Sequence, residues 1–382
     1  MRCNLNYPTT SRRVPPRVNA CDRPLCAAGD PAAVRPAFTL VEILVVISII
    51  ALLMTLTVGV IGAFLDNARH AATTATLTKV QALMNSRRQA FDRLLQRKGF
   101  VTNSYEYQFA QSWSQAKGVT IPSSAIRPIA IKLLQMKYFP QSAADLNFLM
   151  VQVYSTPQSQ LQLANMYPNL FQSFVNNPAG FQAPATVPNL TNQEILYNIL
   201  TENVIGDTPL GADAFTAVEV VQEPPSAAPQ TAGLPFFIDA WKGPIRYYRW
   251  PTRLFRNDGL NITTADIANA KVVFSALPVF SGNLQNDLAR DPDDPLGACA
   301  QISGFVFEDY FHTPQTYHIP VIMSAGPDGQ FGLGSPDDKQ LPGTQQTYGY
   351  LGILNPAVTP SAAAFDQLSD NLVSASLKAG GK

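Results

Sequence analysis

A dominantly apolar run extends from Ile43 to Leu65, ILVVISIIALLMTLTVGVIGAFL, 23 residues without a charge. About 20 such residues, rising about 1.5 Å each, cross a hydrocarbon core of about 30 Å. A buried core helix of this length would carry a polar face. A removed signal segment would have a shorter apolar run before a small-residue cleavage site, so the pattern predicts one transmembrane helix. From Asp66 the pattern turns periodic: Leu77, Val80, Met84, Phe91, Leu94 and Leu95 recur at helical spacing among Arg69, Lys79, Arg87, Arg88, Arg93, Arg97 and Lys98. Gly99 follows two cations that suit a helix C-terminus. No proline stands between Pro36 and Pro122. A single helix is expected over about 38–98, apolar all round in its first half and striped in its second.

Beyond Gly99 the signals shorten. Helices are expected at 123–138 and 191–204, the second opening with a Thr191–Glu194 capping box ahead of Ile195, Leu196, Ile199 and Leu200. Val, Ile, Phe and Tyr between turn residues predict strands at 216–221, 236–239, 244–250, 271–276, 303–308 and 316–324. Residues 140–190 and 222–235, rich in Pro, Gln, Asn, Ala and Ser, read as long excursions. Ser361–Leu377 reads as a terminal helix. The fold class expected is α+β: a long N-terminal helix on an antiparallel sheet, with large loop insertions over about 140–235.

Composition sharpens the division. Only 14% of the 382 residues are charged, and 27 basic side chains balance 27 acidic ones. The balance hides blocks: residues 1–37 hold six arginines against two aspartates, 66–98 hold seven basic against two acidic side chains, and 99–382 carry a net −8. Four segments are expected: a basic leader at 1–37, a membrane helix at 38–65, its amphipathic continuation at 66–98, and a globular domain at 99–382. The negative domain argues against nucleic acid as a partner, although Tyr247, Tyr248, Arg249 and Trp250 form an aromatic–basic run. Cys3, Cys21 and Cys26 precede the apolar run and only Cys299 follows, so a chain without its leader has no cysteine pair. Cys21 and Cys26 match no common zinc spacing.

Directly before the apolar run stands Ala37-Phe38-Thr39-Leu40-Val41-Glu42. With the helix to Lys98, this resembles the processing region of type IV prepilins and type II secretion pseudopilins. The resemblance implies that a prepilin peptidase cuts between Ala37 and Phe38 and methylates the new amine. It also implies that Glu42 pairs with the Phe38 amine of a neighbouring subunit during filament assembly. The residues alone leave a second reading of Glu42, a carboxylate at the membrane edge reaching headgroup water. Two later segments also resemble the family. Asp239-Ala-Trp241-Lys242-Gly243-Pro244-Ile-Arg-Tyr247 is similar to the Asp-x-Trp-Gly-x-Pro-x-x-Tyr stretch of major pseudopilins, with Trp241 expected on the core. The loop from Ser324 through Gly326, Asp328, Gly329, Gly332 and Gly334 to Asp337 and Asp338 is similar to their calcium loop. The resemblance implies Ca²⁺ held by Asp328 with Asp337 or Asp338, an ion that wants 6–8 oxygen ligands. The competing reading is an ordinary surface turn.

The family implies a structural, non-enzymatic subunit of a type II secretion pseudopilus. It would be single-pass in the inner membrane with a periplasmic C-terminal domain. Its partners would be the prepilin peptidase, identical and related pseudopilins, and the inner-membrane assembly platform. A type IV pilin for adhesion, motility or DNA uptake is the alternative, and a membrane-tethered periplasmic enzyme a third. Other polar clusters carry less. Asp287, Asp291, Asp293 and Asp294 lack the EF-hand glycine and terminal Glu and read as a solvated loop. His70, His312 and His318 show no zincin spacing, no Gly-x-Ser-x-Gly occurs, and His312 and His318 read as structural.

Overall fold

The first helix of the computed structural model, α1 (Leu40–Gln96), is 57 residues long. The structure describes residues 39–116, 119–171, 190–202, 205, 211–223, 226–227, 230–231, 233–252, 291–304, 306–316, 319–338, 349–353, 367–368 and 370–374. The chain divides into two units, Met1–Ile61 and Gly62–Lys382, and α1 contributes to both. In the first unit the large apolar side chains of α1 are exposed on every side, from Leu40 through Met54 to Leu56. Ser48, Thr55 and Thr57 turn their hydroxyls back to the carbonyls of Leu44, Leu52 and Leu53, which pairs these donors within the helix. This helix is long and apolar enough to cross a membrane.

In the second unit α1 changes character. Leu77, Val80, Met84, Phe91 and Leu94 are at most 7% exposed, each worth about 1.5–3 kcal/mol of burial. Gly99, at φ 81°, takes the left-handed conformation that ends the helix. Across the core lie α2 (Tyr105–Ala116) and α3 (Ser123–Tyr138), packed on each other. Then come α4 (Ala143–Phe148), a π-turn (Leu149–Val153), α5 (Pro157–Met166) and α6 (Asn192–Thr201). The strands are short and antiparallel. β1 (Val220–Gln222) pairs with β4 (Pro235–Phe237), and β2 (Ser226–Ala227) with β3 (Gln230–Thr231). β5 (Arg246–Tyr248), β6 (Val321–Ser324) and β7 (Leu372–Val373) form a sheet in that order, Tyr247 opposite Ile322 and Ser324 opposite Leu372. α6 packs on β4 and β5. The fold class is α+β.

The expected helix at 123–138 matches α3, and Thr191 and Glu194 cap α6 reciprocally, as their spacing requires. Several expectations need correction. The stretch 140–171 is helical rather than an excursion. Ser142 and Thr156 cap α4 and α5, and Leu146, Leu149, Met150 and Leu163 are buried at helical spacing. Residues 172–189 lie outside the described set. α2 carried no expectation. The strand placed at 216–221 is only Val220–Gln222, because Glu219 turns back to the Thr216 N–H and reaches Lys79 of α1 at 2.8 Å. Strand 303–308 is absent: Ser303 makes one bridge to Thr120, and Phe307–Asp309 is a 3₁₀ turn. Of the terminal helix expected at Ser361–Leu377, Gln367 and Leu368 are helical, whereas Leu372 and Val373 pair with β6; residues 361–366, 369 and 375–377 lie outside the described set. The strand expected at 271–276 lies outside the described residues.

Candidate functional site

The residues singled out above fall at two places. At the start of α1, Thr39 and Glu42 cap the helix reciprocally. The Thr39 hydroxyl accepts the Glu42 N–H at 3.2 Å, and Glu42 Oε2 accepts the Thr39 N–H at 2.8 Å and its hydroxyl at 2.9 Å. Thr-x-x-Glu has the reach for this exchange, which satisfies orphan donors of the first turn. Glu42 is exposed, with exposed apolar residues beyond it. Ala37 and Phe38 lie outside the described residues.

At the second place two segments distant in sequence are locked together. Asp239 Oδ1 accepts the N–H groups of Trp241 at 2.9 Å and Gly243 at 2.8 Å, which folds 239–243 into a tight turn. Ser324 Oγ, at the end of β6, donates to Asp239 Oδ2 at 2.5 Å and accepts the Gly326 N–H at 3.1 Å. Asp239 and Ser324 are both buried. Burial pushes the Asp239 carboxyl upward, against the pull of its donors from Ser324, Gly243 and Trp241. Lys242 sits at φ 72°, a left-handed conformation that favours glycine, directly after Trp241 where the resembling pattern has its glycine. Gly326, at φ 69°, tolerates nothing larger, because a Cβ would lie 2.4 Å from the Asp370 carbonyl oxygen. Trp241 is half-buried rather than a core residue; Trp113 and Trp250 fill the interior instead.

The carboxylates expected to hold calcium, Asp328 with Asp337 or Asp338, lie in different surroundings. Asp328 is exposed and accepts the Gln330 N–H at 2.7 Å, an ordinary Asx turn. Asp337 faces α6, where it takes the Asn192 N–H at the helix N-terminus, and its Oδ1 is buried with no partner. Burial, with Asp338 and Glu194 nearby, pushes the Asp337 carboxyl up to about 7, although the Asn192 N–H and Arg246 oppose the shift. Asp338 is exposed, its Cβ packed near Gly349. The acid beside Asp328 is Asp370, whose carboxyl is raised first by burial and then by Asp328. Among the described residues no group of three His, Cys, Asp or Glu side chains comes together as a metal site. Of the expected calcium ligands, Asp328 with Asp337 or Asp338, Asp337 is engaged at the N-terminus of α6.

The other acidic loop is corrected in the opposite sense. Asp291 and Asp294 are at most 2% exposed, so these two carboxylates are not solvated. Lys132 of α3, itself fully buried, contacts Asp291 at 2.8 Å and Asp293 at 2.6 Å. Asp294 accepts the N–H groups of Ala298 and Cys299, each at 2.8 Å. His312 is buried, with Nδ1 2.9 Å from the Thr313 carbonyl and Nε2 3.4 Å from Asp291, the structural role expected of it. Asp287 and His318 lie outside the described residues. Tyr247, Tyr248, Arg249 and Trp250 are buried and offer no stacking surface. Asp370, and Lys132 as a partner 159 residues from Asp291, escaped sequence reasoning because no local spacing announces either contact.

Compared with known protein families, curated proteins and solved structures, the chain matches none.

Proposed function

We propose that this protein is a structural subunit of a type II secretion pseudopilus, supporting protein export across the cell envelope. The observation that carries the reading is the two-part helix α1. Its first part exposes apolar side chains all round behind Glu42, while its second buries a stripe in the folded unit. A helix of that kind suits an element held by lipid before assembly and by other subunits afterwards. The lock between Asp239 and Ser324 adds support, since it joins the two segments that resemble major pseudopilins. On this reading a prepilin peptidase cuts between Ala37 and Phe38 in the inner membrane. The folded unit then lies in the periplasm, and identical or related subunits and the assembly platform are its partners. Glu42 exchanges its Thr39 contacts for the amine of a neighbour's Phe38.

Mass spectrometry of the native protein tests the first step: an N-methylated Phe38 terminus is expected, and an intact Met1–Ala37 leader in the membrane fraction would sink the reading. Glu42→Ala tests the second. It should insert into membranes at least as well as wild type, since an acidic residue within an apolar span is costly. Its incorporation into filaments should be lost. Filaments indistinguishable from wild type would leave Glu42 as a helix cap alone.

A further inference from the structure

The second unit holds a cavity of about 260 Å³, larger than the roughly 150 Å³ apolar cavity that takes up a benzene. Its floor is aromatic: Phe91 of α1, Phe139 after α3, and Tyr247 and Trp250 of the β5 segment are each at most 6% exposed. Its mouth is acidic. Asp92, next to Phe91 on α1, is exposed there, and Asp293 reaches the same rim from the 291–294 loop. An apolar pocket with a few polar groups at one end is the usual form of a small-molecule site. Neither carboxylate is fully matched by the protein. Burial raises the Asp92 carboxyl; Arg88, one turn earlier, draws it down, Asp293 pushes it up, and the balance is upward. Lys132 and Gln135 both donate to Oδ2 of Asp293, at 2.6 and 2.8 Å, which leaves its Oδ1 without a donor among the described residues. Lys132 also serves Asp291 at 2.8 Å, so its charge is divided between two carboxylates. Arg249, the cation at the floor, is engaged within the fold. Its Nη1 lies 2.8 Å from Asp145 and donates to the Phe139 carbonyl at 2.9 Å, and its plane stacks 4.0 Å from the Trp250 ring centre. With that cation already on Trp250, the place for a further one is the mouth.

We propose that this cavity binds an organic ammonium ion with a ring-sized apolar body. The ring lies against Phe91, Phe139 and Tyr247, and the ammonium stands at the mouth between Asp92 and Asp293. An ammonium donates only, and the two carboxylates accept only, so the match is one of charge and of hydrogen bonding. The aromatic faces supply apolar burial for the ring. The same carboxylates repel an anion of equal shape, which gives the site its sign of selection. Asp92 is exposed and the Asp293 side chain is 16% exposed, so the ligand reaches both without any change in the wall.

The test uses the full chain in a non-ionic detergent and isothermal titration at neutral pH with 2-phenylethylamine, a cation under those conditions. Three relatives probe its parts: 2-phenylethanol lacks the charge, 3-phenylpropionate reverses it, and ethylamine lacks the ring. Saturable binding of 2-phenylethylamine is expected, with each relative at least tenfold weaker. Asp92→Asn keeps the size of an exposed side chain and removes its charge. It should weaken binding about threefold, as a partly exposed ion pair allows. Asp92→Lys, which sets a like charge at the mouth, should weaken it at least tenfold. Asp328→Asn removes an exposed acid elsewhere in the same unit and should leave the affinity as it was. No saturable binding at millimolar concentration would overturn the proposal. So would 2-phenylethanol or 3-phenylpropionate binding as tightly as the amine, an affinity that both Asp92 variants leave unchanged, or an equal loss in Asp328→Asn.

Discussion

Two acidic loops, 291–294 and 328–338, look alike on paper and behave oppositely in the folded chain. The first has the look of a solvated turn, yet Asp291 lies under α3 against Lys132 and His312. The second has the look of a cation cradle, yet Asp328 faces solvent and Asp337 is drawn to the N-terminus of α6. A carboxylate's role is set by the charge and the donors that tertiary packing brings to it. Lys132 offers a full cation to the first loop, while the second receives chiefly backbone N–H groups. The consequence is electrostatic. Burial alone would raise Asp291, but Lys132 and His312 hold its carboxyl well below the usual range. Asp337, opposed by the Arg246 charge and the Asn192 N–H, is left raised to about 7.

The largest expected effect breaks the first loop. Lys132→Ala leaves Asp291 and Asp293 without their buried cation and should cost about 3–5 kcal/mol in chemical denaturation. In wild type the lowered Asp291 contributes stability above the unfolded carboxylate value of about 3.9. That stability is lost as pH falls further through the folded value.

Asp337 should show the opposite slope. Between about 3.9 and about 7 the folded chain keeps a proton that the unfolded chain has released, so stability from this group falls as pH rises through the window. Asp337→Asn mimics the protonated form. It should melt higher than wild type at pH 8, with the gap closing below pH 4. Equal melting curves across this range would mean that the carboxyl is not held apart from solvent.

A smaller gain is expected beside the Asp239 lock that supports the second loop. Lys242→Gly relieves a left-handed backbone at a β-carbon-bearing residue and should stabilise by about 1 kcal/mol. Lys242→Val should lose more than that, because a β-branched side chain resists the same conformation.

The smallest effect should come from Asp328. With Asp337 engaged at α6, Asp328→Ala should change stability by no more than about 0.5 kcal/mol. Millimolar calcium should move the melting temperature of wild type no further than that of the variant. A calcium-dependent rise that Asp328→Ala erases would show that the loop gathers its ligands only around the ion.

Local chemistry made much of this protein readable in advance. The charge-free run Ile43–Leu65, the stripe from Leu77 to Leu94 and the stop at Gly99 are properties of one helix, and a helix places its side chains by sequence spacing alone. The Thr191–Glu194 cap is legible for the same reason, since both partners lie within one turn. The helices between 140 and 171 were hidden because their polar residues read as loop, and burial of Leu146, Leu149 and Leu163 against the rest of the core outweighs that composition. β7 forms only because β6 offers Leu372 and Val373 an open edge. The fates of Asp291, Asp337 and Arg249 depended on Lys132, Asn192 and Asp145, each distant along the chain. Sequence alone determined where the chain is apolar, periodic and capped. Only the tertiary structure decided which charges are buried and what they meet, because a Coulomb or hydrogen-bond partner acts through a few ångströms of space whatever the separation along the backbone.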